Sequence, residues 1–476
     1  MLRRPSVLAV AVVTGGLLMG LGHRAAHAKA YTLPELLEAA RRGNPGIQAG
    51  AAATDAMQAQ LLEAHRNAWP SGELTSFITA VPRIQCVYDT PVSSQNNFGN
   101  GPIPQTCVAT TSDPAHHNFW DTFTKLSGPF SRTEIRLVQP VYTFGKIDAG
   151  VEAAENGVAA VRHKQAGAAA DVELNIRKAY WGRKLARELL DTLDQGTSYI
   201  DEAQQKIEKQ LADGSGNVTV TDRLRLRTVR AEIDARTLET KRMAELALTG
   251  LRTLLGSEAP ADLDVDAEPL EPLEVPKRPV THYEEAARLN RPEVLALGFA
   301  ARAKHALSLL EQRREYPDVA LVATGSYAYA PSVDSPVNAF ANNPFNGLGF
   351  GLAATLRMPL DLGPRFARTD RARAEADETE LRRREALGGI ALEVRKAFDE
   401  MTEAQARVAA VQKGEKAGKA WVTAVAQNFA IGLAEARDFS DALQAFFTMR
   451  ARYLQSVYDL NIAAAALTRA TGAPVP

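Results

Sequence analysis

The amino-acid sequence predicts a membrane protein of mixed α and β structure, and three observations lead to this fold class. Landmarks in the first half of the chain return in the second half in the same order. Each half contains a long stretch without proline, at residues 141–259 and 365–473, which is typical of long helices. Each half also contains short segments in which apolar and polar residues alternate, which is typical of strands.

The repeat depends on several matches in register rather than on one. The tetrapeptide EAAR occurs at residues 38–41 and again at 285–288, and a proline follows each copy, Pro45 or Pro292. Further along, a Gly–Asp–Gly series at positions 216, 222 and 256 returns with the same spacing at positions 432, 438 and 472. We therefore expect two copies of one structural plan.

The sequence predicts four segments. Residues 1–28 contain arginines, an apolar run and a final Ala-x-Ala, which is the pattern of a secretory signal peptide. Residues 29–256 form the first repeat and residues 281–476 the second, each with a helix, two strands and a long helical hairpin. Residues 257–280 contain five prolines and seven acidic residues, so we expect a linker of polyproline II character outside the core.

The proline-free stretches predict very long helices that pack against one another. A helix over residues 147–211 would be about 100 Å long, too long for a compact globule, so it needs neighbouring helices. Apolar residues spaced three and four apart would make these contacts. They are Phe446, Met449, Tyr453, Val457, Leu460, Ala464 and Leu467 in one stripe, and Ile200, Ala203, Ile207 and Leu211 in a weaker one.

Capping patterns and glycines mark where these helices begin and turn. The first helix of each repeat is expected to start with a capping box, Thr32 with Glu35 and Thr281 with Glu284. Glycine-containing segments at residues 212–217 and 430–435 interrupt the two long helical runs. Each is predicted to be a tight turn between antiparallel helices.

Four segments are predicted to be strands long enough to cross a bilayer when tilted, at residues 73–81, 132–137, 319–329 and 348–358. Four strands cannot close a barrel, and an open edge in lipid leaves backbone groups unpaired at a cost of several kcal/mol each. The chain must therefore oligomerise, and three copies would supply twelve strands, enough for a barrel that holds water.

Composition and motifs argue against catalysis and against nucleic-acid binding. The 476 residues have a formal charge of −1, so no overall field attracts nucleic acid. The run GLGFG at 347–351 lies inside a predicted strand rather than before a helix, unlike a phosphate loop. His116 and His117 are read as part of a solvated loop rather than as metal ligands. We predict no catalytic residue, no cofactor and no metal.

The two cysteines, Cys86 and Cys107, lie in a stretch rich in Pro, Asn, Ser and Gly. An even number of cysteines in an exported chain favours a disulfide. The alternative is a pair of free buried thiols.

Three further features carry a family resemblance. They are the duplicated openings, the strand ends QPVYTFGK (139–146) and MPLDLG (358–363), and a glycine turn followed six residues later by Asp. With these the chain resembles the TolC-like outer-membrane efflux proteins. The resemblance implies a homotrimeric twelve-stranded β-barrel in the outer membrane of a Gram-negative bacterium, continued by a long antiparallel α-helical coiled-coil barrel in the periplasm. It also implies an exit duct for efflux or type I secretion that works with an inner-membrane pump and a periplasmic adaptor (membrane fusion protein).

The resemblance also implies site residues at the periplasmic end. Asp438 and Asp441 correspond to a ring of carboxylates at the narrowest point, although Asp438 could instead merely begin a helix. Thr221 and Asp222 match the acceptor side of a polar latch, but Ala434 and Phe429 stand where the family can have Arg and Tyr donors. Arg437 and Arg223 are possible substitutes. The adaptor-docking turns implied by the resemblance contain Gly214, Gly216, Gly432 and Leu433.

Two alternatives remain open at this stage. A passive outer-membrane porin that needs no pump would have the same architecture. A periplasmic coiled-coil adaptor or an adhesin would also have long helical hairpins. Adaptors and adhesins lack paired amphipathic strands in each of two repeats, so the strands distinguish the two classes.

Overall fold

The computed structural model describes residues 30–88, 104–109, 126–213, 218–276, 278–335, 343–431 and 433–473. The predicted signal peptide, the histidine pair and the turn glycines Gly214, Gly216 and Gly432 lie outside these residues. In the described residues the helices are α1 (Leu33–Gly43), α2 (Pro45–Arg66), α3 (Lys146–Asp213), α4 (Val220–Leu255), α5 (Val280–Asn290), α6 (Pro292–Arg313), α7 (Leu362–Ala430) and α8 (Ala436–Thr471).

The strands are short by comparison. They are β1 (Ala30–Tyr31), β2 (Ser71–Pro82), β3 (Ile84–Tyr88), β4 (Pro104–Ala109), β5 (Leu126–Tyr142), β6 (Asp264–Val265), β7 (Asp318–Tyr329) and β8 (Gly347–Arg357). All four predicted strands are therefore present, as β2, β5, β7 and β8. No helix within the described ranges has the length and apolar character needed to cross a bilayer.

Corresponding elements of the two halves have nearly equal lengths. The helices α1 and α5 each have 11 residues, α2 and α6 each have 22, and α4 and α8 each have 36. The long helices α3 and α7 have 68 and 69 residues, and β2 and β7 each have 12. This agreement supports duplication of one plan, while the boundaries of the two repeats stay a prediction.

The described chain divides into two compact units, each built from three separate pieces. The first unit contains the described residues within Met1–Asn44, Ile176–Glu271 and Gly414–Tyr458. The second contains the described residues within Pro45–Asn175, Pro272–Lys413 and Asp459–Pro476. Because α3, α7 and α8 each contribute residues to both units, these units do not coincide with the two sequence repeats.

The core of the first unit confirms the predicted helical stripes. Ile200, Ala203 and Ile207 of α3 are buried together with Leu226 and Ile233 of α4. The same cluster includes Val422 and Phe429 of α7 and Ala436, Phe439, Ala442, Leu443 and Phe446 of α8. Four helices therefore share one apolar core near the two helix turns.

The segment 257–280 differs from the linker expected from its composition. It contains β6, which pairs in parallel with β1, and it buries Leu263, Val265, Leu270 and Val275. The expectation that it lies outside the core was therefore wrong, because apolar side chains between the prolines and acidic residues give it a buried side.

The acidic residues of this segment bind cations of α3 in the first unit. Arg183 donates from Nε and Nη2 to both oxygens of Asp264, at 3.0 Å each. Lys184 Nζ lies 2.6 Å from Asp266 Oδ1, and the hydroxyl of Tyr180 donates to Oδ2 of the same carboxylate. The segment is thus fastened to the helix by paired charges as well as by apolar contacts.

The repeated proline motif has a structural explanation, since each copy lies at a junction between two helices. In the first unit, Asn44 Nδ2 donates to the carbonyl of Leu254, near the end of α4. In the second unit, Arg291 donates to the carbonyl of Ala470, near the end of α8. Each proline then begins the next helix, where its missing N–H costs nothing.

The two predicted capping boxes have different outcomes. Thr32 caps α1 as expected, since its backbone N–H donates to Glu35 Oε2 at 2.8 Å. Thr281 does not begin α5. That helix begins at Val280 with Pro279 as its N-cap, two residues before the predicted N-cap, so the predicted box of Thr281 with Glu284 is wrong.

Candidate functional site

The second unit contains a four-stranded antiparallel sheet in the order β2–β5–β7–β8. Residues opposite one another in an antiparallel pair project to the same face, so the register assigns every side chain to one of two faces. One face is apolar. Its members include Leu74, Ile78, Ile135, Leu137, Leu321, Leu348, Phe350, Leu352 and Leu356.

The apolar face is exposed in the isolated chain. Phe350 is 82% exposed and Leu352 is 78% exposed, values that are unusual for large apolar side chains in a soluble protein. Ile78 and Leu74, at the opposite side of the sheet, are exposed as well. A contiguous exposed apolar face of this kind is suited to contact with lipid chains.

The opposite face of the same sheet is polar or small. It carries Glu73, Thr75, Arg132, Glu134, Arg136, Thr324, Ser326 and the glycines of β8. Arg132 Nε donates to Glu134 Oε1 at 2.6 Å. A Cβ on Gly351 would lie 2.7 Å from Thr324 Oγ1. Glycine at this position therefore leaves room for the threonine hydroxyl on the polar face. The run GLGFG is thus part of a strand, as predicted.

The sheet is open at both sides in a single chain. Within the described residues, β2 and β8 each have one neighbour, so one edge of each strand has unpaired N–H and C=O groups. Such edges are unfavourable in water because they pair with other strands, and more unfavourable in lipid because no water satisfies them. The geometry therefore requires further strands from other copies if the apolar face contacts lipid.

Asp438 and Asp441 lie in the first turns of α8, in the first unit, and both are exposed. Between them Phe439 and Ser440 are buried, so both carboxylates point away from the helical core. Arg437 Nε lies 3.9 Å from Asp441 Oδ2 in an exposed pair, a weak interaction. The predicted carboxylates therefore share a helix face that the single chain leaves free.

Asp222 has a local partner in the described structure. It accepts hydrogen bonds from the backbone N–H and the hydroxyl of Thr219, at 2.9 and 2.7 Å, in a capping box at the start of α4. Thr221 is exposed beside it. Of the two predicted acceptors of the latch, Asp222 thus already stabilises a helix end.

A cation links α3 to the end of α7 at Phe429, one of the two positions where the resemblance implied a donor residue. Lys206 Nζ donates to the carbonyl of Phe429 and lies 4.8 Å from the centre of its ring. The Phe429 ring in turn stacks on Phe439 of α8, with centroids 5.1 Å apart. Ala434 is half-buried and its N–H donates to Asn428.

Large apolar side chains are exposed around the two helix turns. Leu433 is 77% exposed and Ile431 is 70% exposed between α7 and α8. Val220 and Leu224 are exposed at the start of α4. The predicted docking position Leu433 is therefore accessible in the single chain.

The two cysteines are brought into register by the hairpin of β3 and β4, in which Cys86 is directly opposite Cys107. Directly opposed residues of an antiparallel pair have Cα atoms about 4.5–5.5 Å apart, within the range that a disulfide spans. The disulfide stays a prediction with favourable backbone geometry.

Sequence reasoning missed two features of the helix ends. The Thr219 capping box has a local signal, Ser/Thr followed three residues later by an acidic residue, which could have been recognised. The contact of Lys206 with Phe429 joins residues 223 positions apart, and no local pattern indicates it. Within the described ranges, no group of three or more His, Cys, Asp or Glu residues could hold a metal ion.

Comparison with known proteins agrees with these features. Residues 285–473 match the family described as outer membrane efflux protein. No curated protein matches the chain. Among solved structures, the CmeC outer membrane channel of Campylobacter jejuni is 14% identical, with a TM-score of 0.71, over 92% of this chain and 85% of that one.

Two further solved structures have the same fold. The outer membrane protein VceC of Vibrio cholerae is 17% identical, with a TM-score of 0.68, over 93% of this chain and 97% of that one. The MtrE outer membrane channel of Neisseria gonorrhoeae is 16% identical, with a TM-score of 0.69, over 93% and 89%. Over residues 285–473 the sequence therefore matches the outer membrane efflux protein family, and over nearly its whole length the chain has the fold of these solved outer membrane proteins.

Proposed function

We propose that this protein is the outer-membrane exit duct of a tripartite efflux or type I secretion system. The single observation that carries the proposal is a four-stranded sheet with an exposed apolar face, a polar opposite face and two open edges. This sheet is joined directly to helices of 68 and 69 residues. A sheet of this kind is suited to lipid on one side and water on the other.

Three copies close the barrel in this proposal. Each chain contributes the four strands β2, β5, β7 and β8, and β8 of one copy pairs with β2 of the next. Twelve strands leave a lumen wide enough for water, and the polar face of each sheet lines it. The helices continue this lumen into the periplasm.

The start of α8 forms the narrow end of the duct. Asp438 and Asp441 are exposed on the side of α8 that its own core does not use. Threefold symmetry would place six carboxylates around the axis, and such a ring attracts cations and is blocked by them.

The exposed apolar tip suits a protein partner. Four large apolar side chains near the helix turns are exposed, Val220, Leu224, Ile431 and Leu433, and a periplasmic adaptor is the partner that the proposal assigns to them. The inner-membrane pump then selects the cargo, because a wet polar duct discriminates little among solutes.

The proposal is tested with the purified protein in planar bilayers. A trimer that conducts ions, with block by divalent cations added on the side of the helical end, is the expected result. Recovery of the chain in the soluble periplasm without detergent would contradict it and would favour a periplasmic adaptor or adhesin. Unchanged export after deletion of the partner pump would favour a pump-independent porin.

A further inference from the structure

Described residues of the segment between β7 and β8 cover the outer end of the polar sheet face. The described parts of this loop, residues 330–335 and 343–346, are called the outer cap here. They lie at the end of the sheet opposite the helices, since β2, β5, β7 and β8 all connect to helices at their other ends. The cap therefore lies at the end of the strands that is farthest from the long helices.

Apolar residues under the cap occupy positions on the polar face. By register, Val81, Phe130 and Ala328 belong to the face that carries Arg132 and Glu134. They are nevertheless buried, Phe130 to 7% exposure, in a cluster with Ala330 and Val333 of the cap. The cap thus folds over the face that water would occupy.

Aromatic rings connect the cap to the strands. The ring of Phe130 in β5 lies edge-on to Phe345 of the cap, with centroids 5.5 Å apart. On its other side it contacts Phe77 of β2 at 5.8 Å. Such contacts supply apolar burial together with a preferred geometry.

Gly128 allows the cap to approach the strand. A Cβ on Gly128 would lie 2.2 Å from Ser332 Oγ and 2.6 Å from Ser332 Cβ, closer than atoms can come. The hydroxyl of Ser332 is buried, with no hydrogen-bond partner in the described part of the chain. A side chain at position 128 would therefore displace the cap.

Hydrogen bonds hold the cap in one conformation. Asn346 Nδ2 donates to the carbonyls of Ala330 and Val333, at 3.0 and 2.9 Å, and Asn346 Oδ1 accepts from the Ala330 N–H at 2.7 Å. The cap is also joined to Ile84 at the start of β3, through backbone hydrogen bonds of 3.2 and 3.0 Å with Ser332 and Asp334.

We propose that the outer cap narrows the mouth of the pore and sets the largest solute that passes it from outside. The proposal rests on the proposed function, because the capped face lines water only if the apolar face contacts lipid. Three chains would place three caps around the mouth. Phe130, Gly128 and Asn346 are the residues that hold each cap in place.

The test measures access to the lumen from outside the cell. Thr324→Cys places a thiol on the polar face below the cap, and it is labelled on intact cells with a small and a bulky thiol reagent. In this background, Asn346→Ala removes the three hydrogen bonds and Gly128→Val displaces Ser332. We expect each to raise the labelling rate of the bulky reagent about tenfold or more, which corresponds to about 1.4 kcal/mol.

Matched controls separate the possible outcomes. The rate of the small reagent should change less than twofold, and Ala353→Ser, on the same face but opposite Val322 rather than Thr324, should leave both rates unchanged. Equal labelling by both reagents in the parent, or no change in either cap variant, would overturn the cap. Absence of labelling by the small reagent as well, with Leu352→Cys labelled instead, would overturn the assignment of faces and with it the proposed function.

Discussion

Asp438 and Asp441, near the start of α8, are the carboxylates that we propose for the narrow end of the duct. Both are exposed, and their helix buries the residues between them. Arg437, which is itself exposed, lies 3.9 Å from Asp441. Side chains placed in this way are available for other copies or for solute.

Replacing both carboxylates with Asn tests the ring directly. Asp438→Asn with Asp441→Asn should weaken block by divalent cations in single-channel recordings, because the charge that attracts them is removed while the side-chain shape is kept. The matched control is Asp377→Asn, an exposed carboxylate elsewhere on α7. Equal block in the double variant and the parent would show that these two carboxylates do not form the blocking site.

The sequence predicts the interaction partner of a single residue only where the two residues are close together in the chain. Thr32 and Glu35 were predicted to form a capping box because both partners lie three residues apart on a visible helix start. Arg291 and Asn44 share a position in the repeat but bind through different side chains, and nothing local indicates their carbonyl partners. Residue types were thus predictable, whereas long-range partners were not.

The link from α3 to α7 is the second test. Lys206→Met removes both the charge-assisted hydrogen bond to Phe429 and the cation–π contact, at a cost of about 1–3 kcal/mol. We expect faster amide hydrogen exchange in the last turn of α7. Lys209→Met, an exposed position on the same helix, is the control and should leave exchange unchanged. A rate that stays at the parent value in Lys206→Met would show that the link does not stabilise this turn.

Because of the segment 257–280, we expect the stability of the folded protein to decrease at acidic pH. Burial raises the pKa of Asp264, but hydrogen bonds from Arg183 and from the Val265 N–H, with the charge of Arg187, outweigh it and hold the pKa below its usual value. The pKa of Asp266 is lowered in the same way, burial being outweighed by Lys184 and Tyr180.

A lowered pKa means that the folded state favours the charged carboxylate more than the unfolded state does. This stability is present above the ordinary pKa of about 4 and is lost as the pH falls through the lowered value. The unfolding temperature of the parent should therefore fall steeply below about pH 4. Asp264→Asn should be less stable at neutral pH and should lose less on acidification, whereas parallel curves for the two proteins would contradict this account.

Helices and strands could be predicted well where the apolar residues have a strong periodicity. The prediction was poorer for a segment assigned from its composition alone. The long helices and the four sheet strands follow from proline-free runs and from alternation, which depend directly on backbone geometry. The segment 257–280 was misjudged because its prolines and acidic residues outnumber its four buried apolar residues. The cations that bind Asp264 and Asp266 lie on α3, which is distant in sequence.

For the assembled protein, the two faces of the sheet predict opposite responses to the same charge. Leu352 and Ala353 are neighbours in β8 with side chains on opposite faces. Leu352→Arg places a charge against lipid, at a cost of about 2–4 kcal/mol near the bilayer centre in each chain. Ala353→Arg places the same charge toward water and should be tolerated.

The measurement is the amount of trimer recovered from the outer membrane after detergent extraction. We expect little trimer for Leu352→Arg and a nearly normal amount for Ala353→Arg. The reverse order would mean that the apolar face is not in lipid, and an equal loss would mean that β8 accepts no arginine on either side.

The unpaired edges of β2 and β8 have a genetic consequence. A barrel that closes only when every subunit pairs at both of its edge strands cannot be completed by the intact subunits alone. A subunit in which only one edge strand can pair would still enter the trimer. The barrel that it forms with two intact subunits would then stay open or fail to assemble. Alleles that damage one strand border should therefore be dominant in cells that also produce the intact chain, while alleles that prevent synthesis should be recessive.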